Sequence, residues 1–99
     1  MKQPYAFFIF LLLLLTQLVN AQNTAAVEFY REGEIALLEE KPKKALRLFK
    51  KAARENPDLA AAYRGMGVAC EMLNEYDQAV NHYEEVLAMD SMFSRLLYY

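Results

Sequence analysis

Residues 29–57, FYREGEIALLEEKPKKALRLFKKAARENP, overlie residues 63–91, YRGMGVACEMLNEYDQAVNHYEEVLAMDS, when the chain is slid 34 positions along itself. In that register Phe29 meets Tyr63, Gly33 meets Gly67, Ala45 meets Ala79 and Phe49 meets Tyr83. A fixed period makes each copy one supersecondary unit, which cannot bury its apolar face alone and must stack on a neighbour.

Each copy divides into two amphipathic stretches. Phe29, Gly33, Ala36 and Leu37 recur at helical spacing, with Glu28, Glu32 and Glu39 on other faces, and predict a helix over about 25–39. Asn23 or Thr24 is placed to cap it by accepting an orphan backbone N–H. Lys41-Pro42 marks a turn, and Pro42 suits the first position of a second helix, about 42–55, striped by Ala45, Leu46, Phe49, Ala52 and Ala53. Pro57 cannot continue that ladder, and Asp58 is placed to cap the next helix. The third helix, about 59–73, carries Tyr63, Met66, Gly67, Cys70 and Leu73; the fourth, about 76–89 after Asn74-Glu75, carries Tyr76, Ala79, Val80, Tyr83, Val86 and Leu87. Asp90-Ser91 replaces Asn56-Pro57 and predicts a break, after which Met92 to Tyr99 resumes an apolar helical pattern. No stretch reads as a strand.

Where two antiparallel helices cross, only small side chains fit. Gly33 and Gly67 on the first helix of each copy, with Ala45 and Ala79 on the second, are expected to let the backbones approach, and Phe49 and Tyr83 to fill the space beside the crossing. Glycine inside a helix costs about 1 kcal/mol against alanine, so its recurrence at one phase points to a close contact. Two unrelated hairpins of equal length are the alternative, and the coincident Gly, Ala and aromatic phases speak against it.

On these residues the chain resembles the tetratricopeptide repeat family, whose 34-residue unit carries a large residue, then Leu-Gly, then Ala-x3-Phe and a closing Pro. The first copy reads Phe29-x2-Glu32-Gly33-x2-Ala36…Ala45-x3-Phe49-x2-Ala52…Pro57, and the second Tyr63-x2-Met66-Gly67-x2-Cys70…Ala79-x3-Tyr83-x2-Val86…Ser91. Glu32, Ala36, Cys70 and Ser91 depart from the pattern, none of them at the crossing positions. The resemblance implies an all-α, right-handed α-solenoid of tandem helix-turn-helix repeats: repeat one about 26–59, repeat two about 60–93 and the start of a third from 94. It further implies that the first helix of each repeat lines a concave groove receiving a peptide or partner domain. By repeat position that groove holds Val27, Tyr30, Glu34, Leu37 and Leu38, then Ala61, Arg64, Val68, Glu71 and Met72. Tyr30 and Arg64 stand out, since Tyr and Arg are favoured as binding anchors. One subgroup of the family clamps a terminal carboxylate with Lys and Asn at places held here by Tyr30 with Glu34 and Arg64 with Val68, so that specificity is not expected.

The N-terminus has a different character. Met1-Lys2 supplies positive charge, Ala6 to Leu15 is wholly apolar, and Val19-Asn20-Ala21 offers a small-residue cleavage site before Gln22, the order of a secretory signal peptide over residues 1–21. An uncleaved anchor is the competing reading. Even counted to Val19 the apolar helix spans only about 21 Å against the roughly 30 Å of a hydrocarbon core, and Thr16 and Gln17 interrupt it. Export is therefore expected, to the periplasm or cell envelope in a bacterium and otherwise to the exterior, with the membrane engaged only transiently. Neither a lipidation Cys nor a twin-arginine pair is present. Residues 22–99 then form one small domain, for which a core alone supplies about 3–5 kcal/mol. Cys70, the only cysteine, falls at a packing position and is expected to be buried and inert.

Removal of Lys2 leaves ten basic residues against 13 acidic ones. The cations crowd into Lys41, Lys43, Lys44, Arg47, Lys50, Lys51 and Arg54, while the second copy is acidic, with Glu71, Glu75, Asp77, Glu84, Glu85 and Asp90. A net-acidic exported chain does not suit nucleic acid. The basic stripe, on the convex side, is read first as a solvated face, with an anionic membrane or the acidic stretch of another copy as alternatives. His82, the only histidine, is expected on the solvated outer face of the fourth helix. Adjacent Glu39-Glu40 and Glu84-Glu85 point in different directions on a helix and do not make an acid/base pair. No metal spacing and no phosphate loop occurs. The chain therefore reads as a non-enzymatic protein-binding module with no catalytic residues, cofactor, metal or small-molecule substrate. Repeat arrays generally need about three units with polar caps. The apolar ending Leu96-Leu97-Tyr98-Tyr99 is thus expected either to continue into further repeats or to drive self-association.

Overall fold

Four helices joined by short turns, α1 (Pro4–Leu38), α2 (Pro42–Glu55), α3 (Ala60–Met72) and α4 (Tyr76–Tyr98), make up a computed structural model that describes residues 4–98, with side chains except at Gln22 and 92–98. There is no strand among the described residues. Consecutive helices pack on one another and α1 also touches α3, while among the described residues α2 and α4 do not touch. The result is an all-α helical-repeat solenoid, with α1 and α3 drawn together on the inner side and α2 and α4 splayed on the outer.

Both hairpins turn in the same way. Lys41 N–H donates to Ala36 O at 2.9 Å, and Glu75 N–H to Cys70 O at 2.8 Å, closing the end of α1 and of α3 with equivalent bonds. Glu40 (φ 58) and Asn74 (φ 62), 34 residues apart, hold the left-handed conformation that such a closure needs. Pro42 opens α2 as expected, where its missing N–H costs nothing.

Three local expectations are corrected. First, α1 does not begin near residue 25: no Pro or Gly lies between Pro4 and Gly33, so nothing stops the helix, and Asn23 and Thr24 are not caps. Thr24 Oγ1 instead donates back to Asn20 O at 2.8 Å, and Asn23 Oδ1 accepts from Asn56 Nδ2 at 3.0 Å, tying α1 to the end of α2. Second, Asp58 does not cap α3; its own N–H is taken by Asn56 Oδ1 at 3.1 Å, and Leu59 precedes the helix without a side-chain cap. Third, Asp90-Ser91 does not break α4, since neither residue removes a helical hydrogen bond as Pro57 does after α2. The apolar side chains expected at Leu96, Leu97, Tyr98 and Tyr99 lie outside the described residues, as does the positive start at Met1-Lys2. Residues 4–21 are exposed throughout. By length and composition α1 could cross a membrane, a property shared by N-terminal signal sequences.

Small side chains dominate the core: Ala36, Ala45, Ala52, Ala62 and Ala69 are buried with Leu48, Phe49 and Met66. Phe49 is its one aromatic residue, 1% exposed. The recurring glycines act differently from expectation. They do not simply bring two backbones together; each is a notch for a ring. A Cβ on Gly33 would stand 2.7 Å from the Phe49 ring, and one on Gly65 also 2.7 Å, so the ring is held between α1 and α3. Tyr83 fills the notch at Gly67 in the same way, but is only half-buried. Cys70 is fully buried as expected, and burial pushes its thiol pKa up.

Gly33→Ala and Gly65→Ala should each lower the unfolding free energy by about 1–2 kcal/mol, overpacking outweighing the roughly 1 kcal/mol of helix propensity gained. Gly67→Ala should cost less, because Tyr83 has solvent to turn into. Urea unfolding in a nonionic detergent, followed by helical circular dichroism, measures all three; a stabilised Gly65→Ala would refute the clamp.

Candidate functional site

The inner side, formed by α1 and α3, is where the predicted groove residues fall. Tyr30 stands one turn before Gly33 on α1, and its ring meets Phe49 edge-on at 5.7 Å and 83°. The clamped phenylalanine thus props the tyrosine from beneath. Burial raises the Tyr30 pKa, and the nearby carboxylate of Glu34 raises it further, while the charge of Arg64 on α3 opposes them. Tyr30, Glu34 and Arg64 are therefore brought together across the two helices: an aromatic ring flanked by a carboxylate and a guanidinium, both exposed.

The remaining predicted residues divide. Leu37 is partly buried against the core, so it supports the groove more than it lines it. Leu38 is 84% exposed at the end of α1, while Val27, Val68 and Met72 are between 40% and 46% exposed. Ala61 is half-buried at the start of α3. Glu71 is committed within its own hairpin, where its Oε1 accepts from Tyr83 Oη at 2.5 Å. The two copies differ in a coordinated way here. Phe49, without a hydroxyl, has Leu37 at the equivalent place on the preceding helix, whereas Tyr83 has Glu71. A polar ring tip is matched by a polar partner.

His82 is corrected from solvated surface to a half-buried packing position. It occupies the place of Leu48, one repeat on, and its Nδ1 makes no hydrogen bond but lies 3.5 Å from Glu85 Oε1. Among the described residues no three or more His, Cys, Asp or Glu side chains come together as metal ligands would. Sequence reasoning missed Gly65, which has Arg31 as its repeat equivalent and so carried no periodic signal. A second interior glycine within one helix, costly for propensity, was the clue available.

Two stacked helical hairpins that repeat one turn and one ring-in-notch contact define the chain as a helical-repeat protein. A family model described as tetratricopeptide repeat matches residues 17–91, and the chain belongs to that family. Repeats of this family generally mediate protein–protein interaction and are typically not catalytic. Among curated proteins none matches the chain.

The Tyr83 hydroxyl pKa is pushed up from its usual 10.0 to about 12, first by burial and then by the Glu71 hydrogen bond and charge. A raised folded-state pKa for an acid stabilises the fold below the unfolded-state pKa, and the contribution is lost as pH climbs through the folded one. Unfolding free energy should therefore decline between pH 10.0 and about 12. Tyr83→Phe should reduce that decline, with the raised groups at Tyr30, Tyr63 and Cys70 accounting for what remains; an unchanged pH profile would refute the assignment.

Proposed function

We propose that this is an exported, non-enzymatic tetratricopeptide-repeat module that binds a peptide or partner domain in the concave groove of α1 and α3. The observation that carries this reading is the Tyr30–Glu34–Arg64 arrangement on the inner side, with Tyr30 held in place by the buried Phe49 ring. Tyr30 offers apolar area at low entropic cost, Arg64 a planar donor fork for a carboxylate or carbonyl, and Glu34 an acceptor for a backbone N–H or a cation. Leu38, Val68 and Met72 supply apolar surface along the same two helices, with Leu37 backing it from the core and Glu71 held by Tyr83. Catalysis has no place in this reading.

Export rests on the order of charge, apolar run and small-residue site over residues 1–21. The exposure of residues 4–21 supports it, since they contribute nothing to the repeat core. The compartment proposed is the periplasm or cell envelope in a bacterium, and the exterior otherwise. A second reading, the docking module of a larger exported enzyme or sensor, is favoured by the exposed stripe Tyr76, Val80 and Leu87 on α4. Its equivalents on α2 are Pro42, Leu46 and Ala53. Leu46 packs against the core and Ala53 is buried within it, so a further helix in a longer protein would cover the stripe.

Selection of peptides displayed on phage against the chain, followed by titration of the selected peptides, tests the groove. Tyr30→Ala with Arg64→Ala should weaken binding at least tenfold, about 1.4 kcal/mol or more, while Lys43→Ala on the outer side leaves it unchanged. Peptides indifferent to Tyr30 and Arg64 would overturn the assignment. Intact mass of the exported protein should show loss of residues 1–21 and a new terminus at Gln22; a full-length mass would make the apolar helix an anchor.

A further inference from the structure

The outer helices carry opposite charges at the same repeat positions. Lys43 on α2 corresponds to Asp77 on α4, Lys50 to Glu84, and Lys51 to Glu85, and all six are exposed. Among the described residues the ion pairs are Lys41–Glu39 and His82–Glu85, so neither the basic face of α2 nor Asp77 and Glu84 is neutralised within the chain. Lys51 is drawn over the Phe29 ring, 5.7 Å from its centroid, and Glu85 toward His82. Lys43 and Lys50 on one helix, and Asp77 and Glu84 on the other, are the charges left free. Each pair is seven residues apart, two turns along one face, about 10 Å.

Because repeat equivalents stand at the same level of their hairpins, a two-fold axis running between α2 and α4 along their length has a specific consequence. It lays α2 of one copy on α4 of the other and sets Lys43 against Asp77 and Lys50 against Glu84, each pair occurring twice. We infer that the outer surface is a self-complementary interface, through which a second copy of this chain docks convex side to convex side. Head-to-tail stacking of copies is disfavoured, because the notch that Gly65 offers to Phe49 is filled on α1 by Arg31. The inference is independent of the concave groove, which stays open in such a dimer. Exposed ion pairs each contribute little and are screened by salt, so the dimer is weak and salt-sensitive.

The test uses the full chain in an excess of nonionic micelles, in two pools carrying donor and acceptor dyes at the C-terminus. Energy transfer is expected at about 0.02 M salt and should be lost at about 0.5 M. Lys43→Glu with Lys50→Glu puts carboxylates at the facing positions of both outer helices, and Asp77→Lys with Glu84→Lys puts ammonium groups at both. Each double variant alone should associate at least about tenfold more weakly, and mixing the two should restore transfer, since every contact is again of opposite sign. All four sites are exposed, and unchanged helical circular dichroism would confirm folding. Transfer indifferent to salt and to both double variants would overturn the inference and assign pairing to apolar surface. Absence of transfer at low salt, failure of the mixture to recover, or lysine-dependent retention by anionic vesicles without pairing would each overturn it too.

Discussion

Phe49 in the space between Gly33 and Gly65 is the contact on which the solenoid depends. One ring joins α2 to both inner helices, and it is the single large aromatic residue in a core otherwise built chiefly of alanine. Alanine-rich interfaces let helices approach closely but bury little area per residue. The ring therefore supplies a disproportionate share of the apolar burial between hairpins. A side chain on either glycine would push the ring toward the other, and close packing leaves no void to absorb it. This is why the glycines persist despite their cost in helix propensity.

The proposed groove inherits its order from that contact. Tyr30 rests edge-on against Phe49, so the anchor we propose for a partner is positioned by the core and not by a loop. Binding surfaces on rigid elements lose less entropy on association than mobile ones. The second hairpin encloses its ring less completely. Tyr83 has one glycine notch in place of two and remains half-buried, and its hydroxyl turns to Glu71 for a partner that Phe49 does not need. The two copies of one motif thus differ in how far the ring is enclosed, Phe49 by two glycines and Tyr83 by one.

Charge separates the copies more sharply than packing does. At the crossings the type is kept between repeats, Gly33 for Gly67, Ala45 for Ala79 and ring for ring at Phe49 and Tyr83, while Leu48 gives way to His82, Ala52 to Val86 and Ala53 to Leu87. The outward positions reverse sign from Lys43, Lys50 and Lys51 to Asp77, Glu84 and Glu85. Solvated helix faces tolerate either sign at little cost in stability, so such a reversal leaves the fold untouched while giving the outer surface a strong polarity.

The period of 34, the positions of the two hairpin turns and the phase of the small residues were legible from the sequence. They rest on local chemistry: helical spacing of apolar residues, a proline that opens one helix and another that ends it, and glycine where a side chain does not fit. Gly65 as half of the clamp was not legible, nor was Glu71 as the partner of Tyr83. Both are set by distances between residues far apart in the chain. The continuity of α1 through Asn23 and of α4 through Asp90 was equally hidden, because a helix propagates cooperatively across polar residues that merely resemble caps. Periodicity and turn chemistry belong to neighbours along the backbone and can be read there; which ring enters which notch, and which side chains meet across two helices, exists only once the hairpins have stacked.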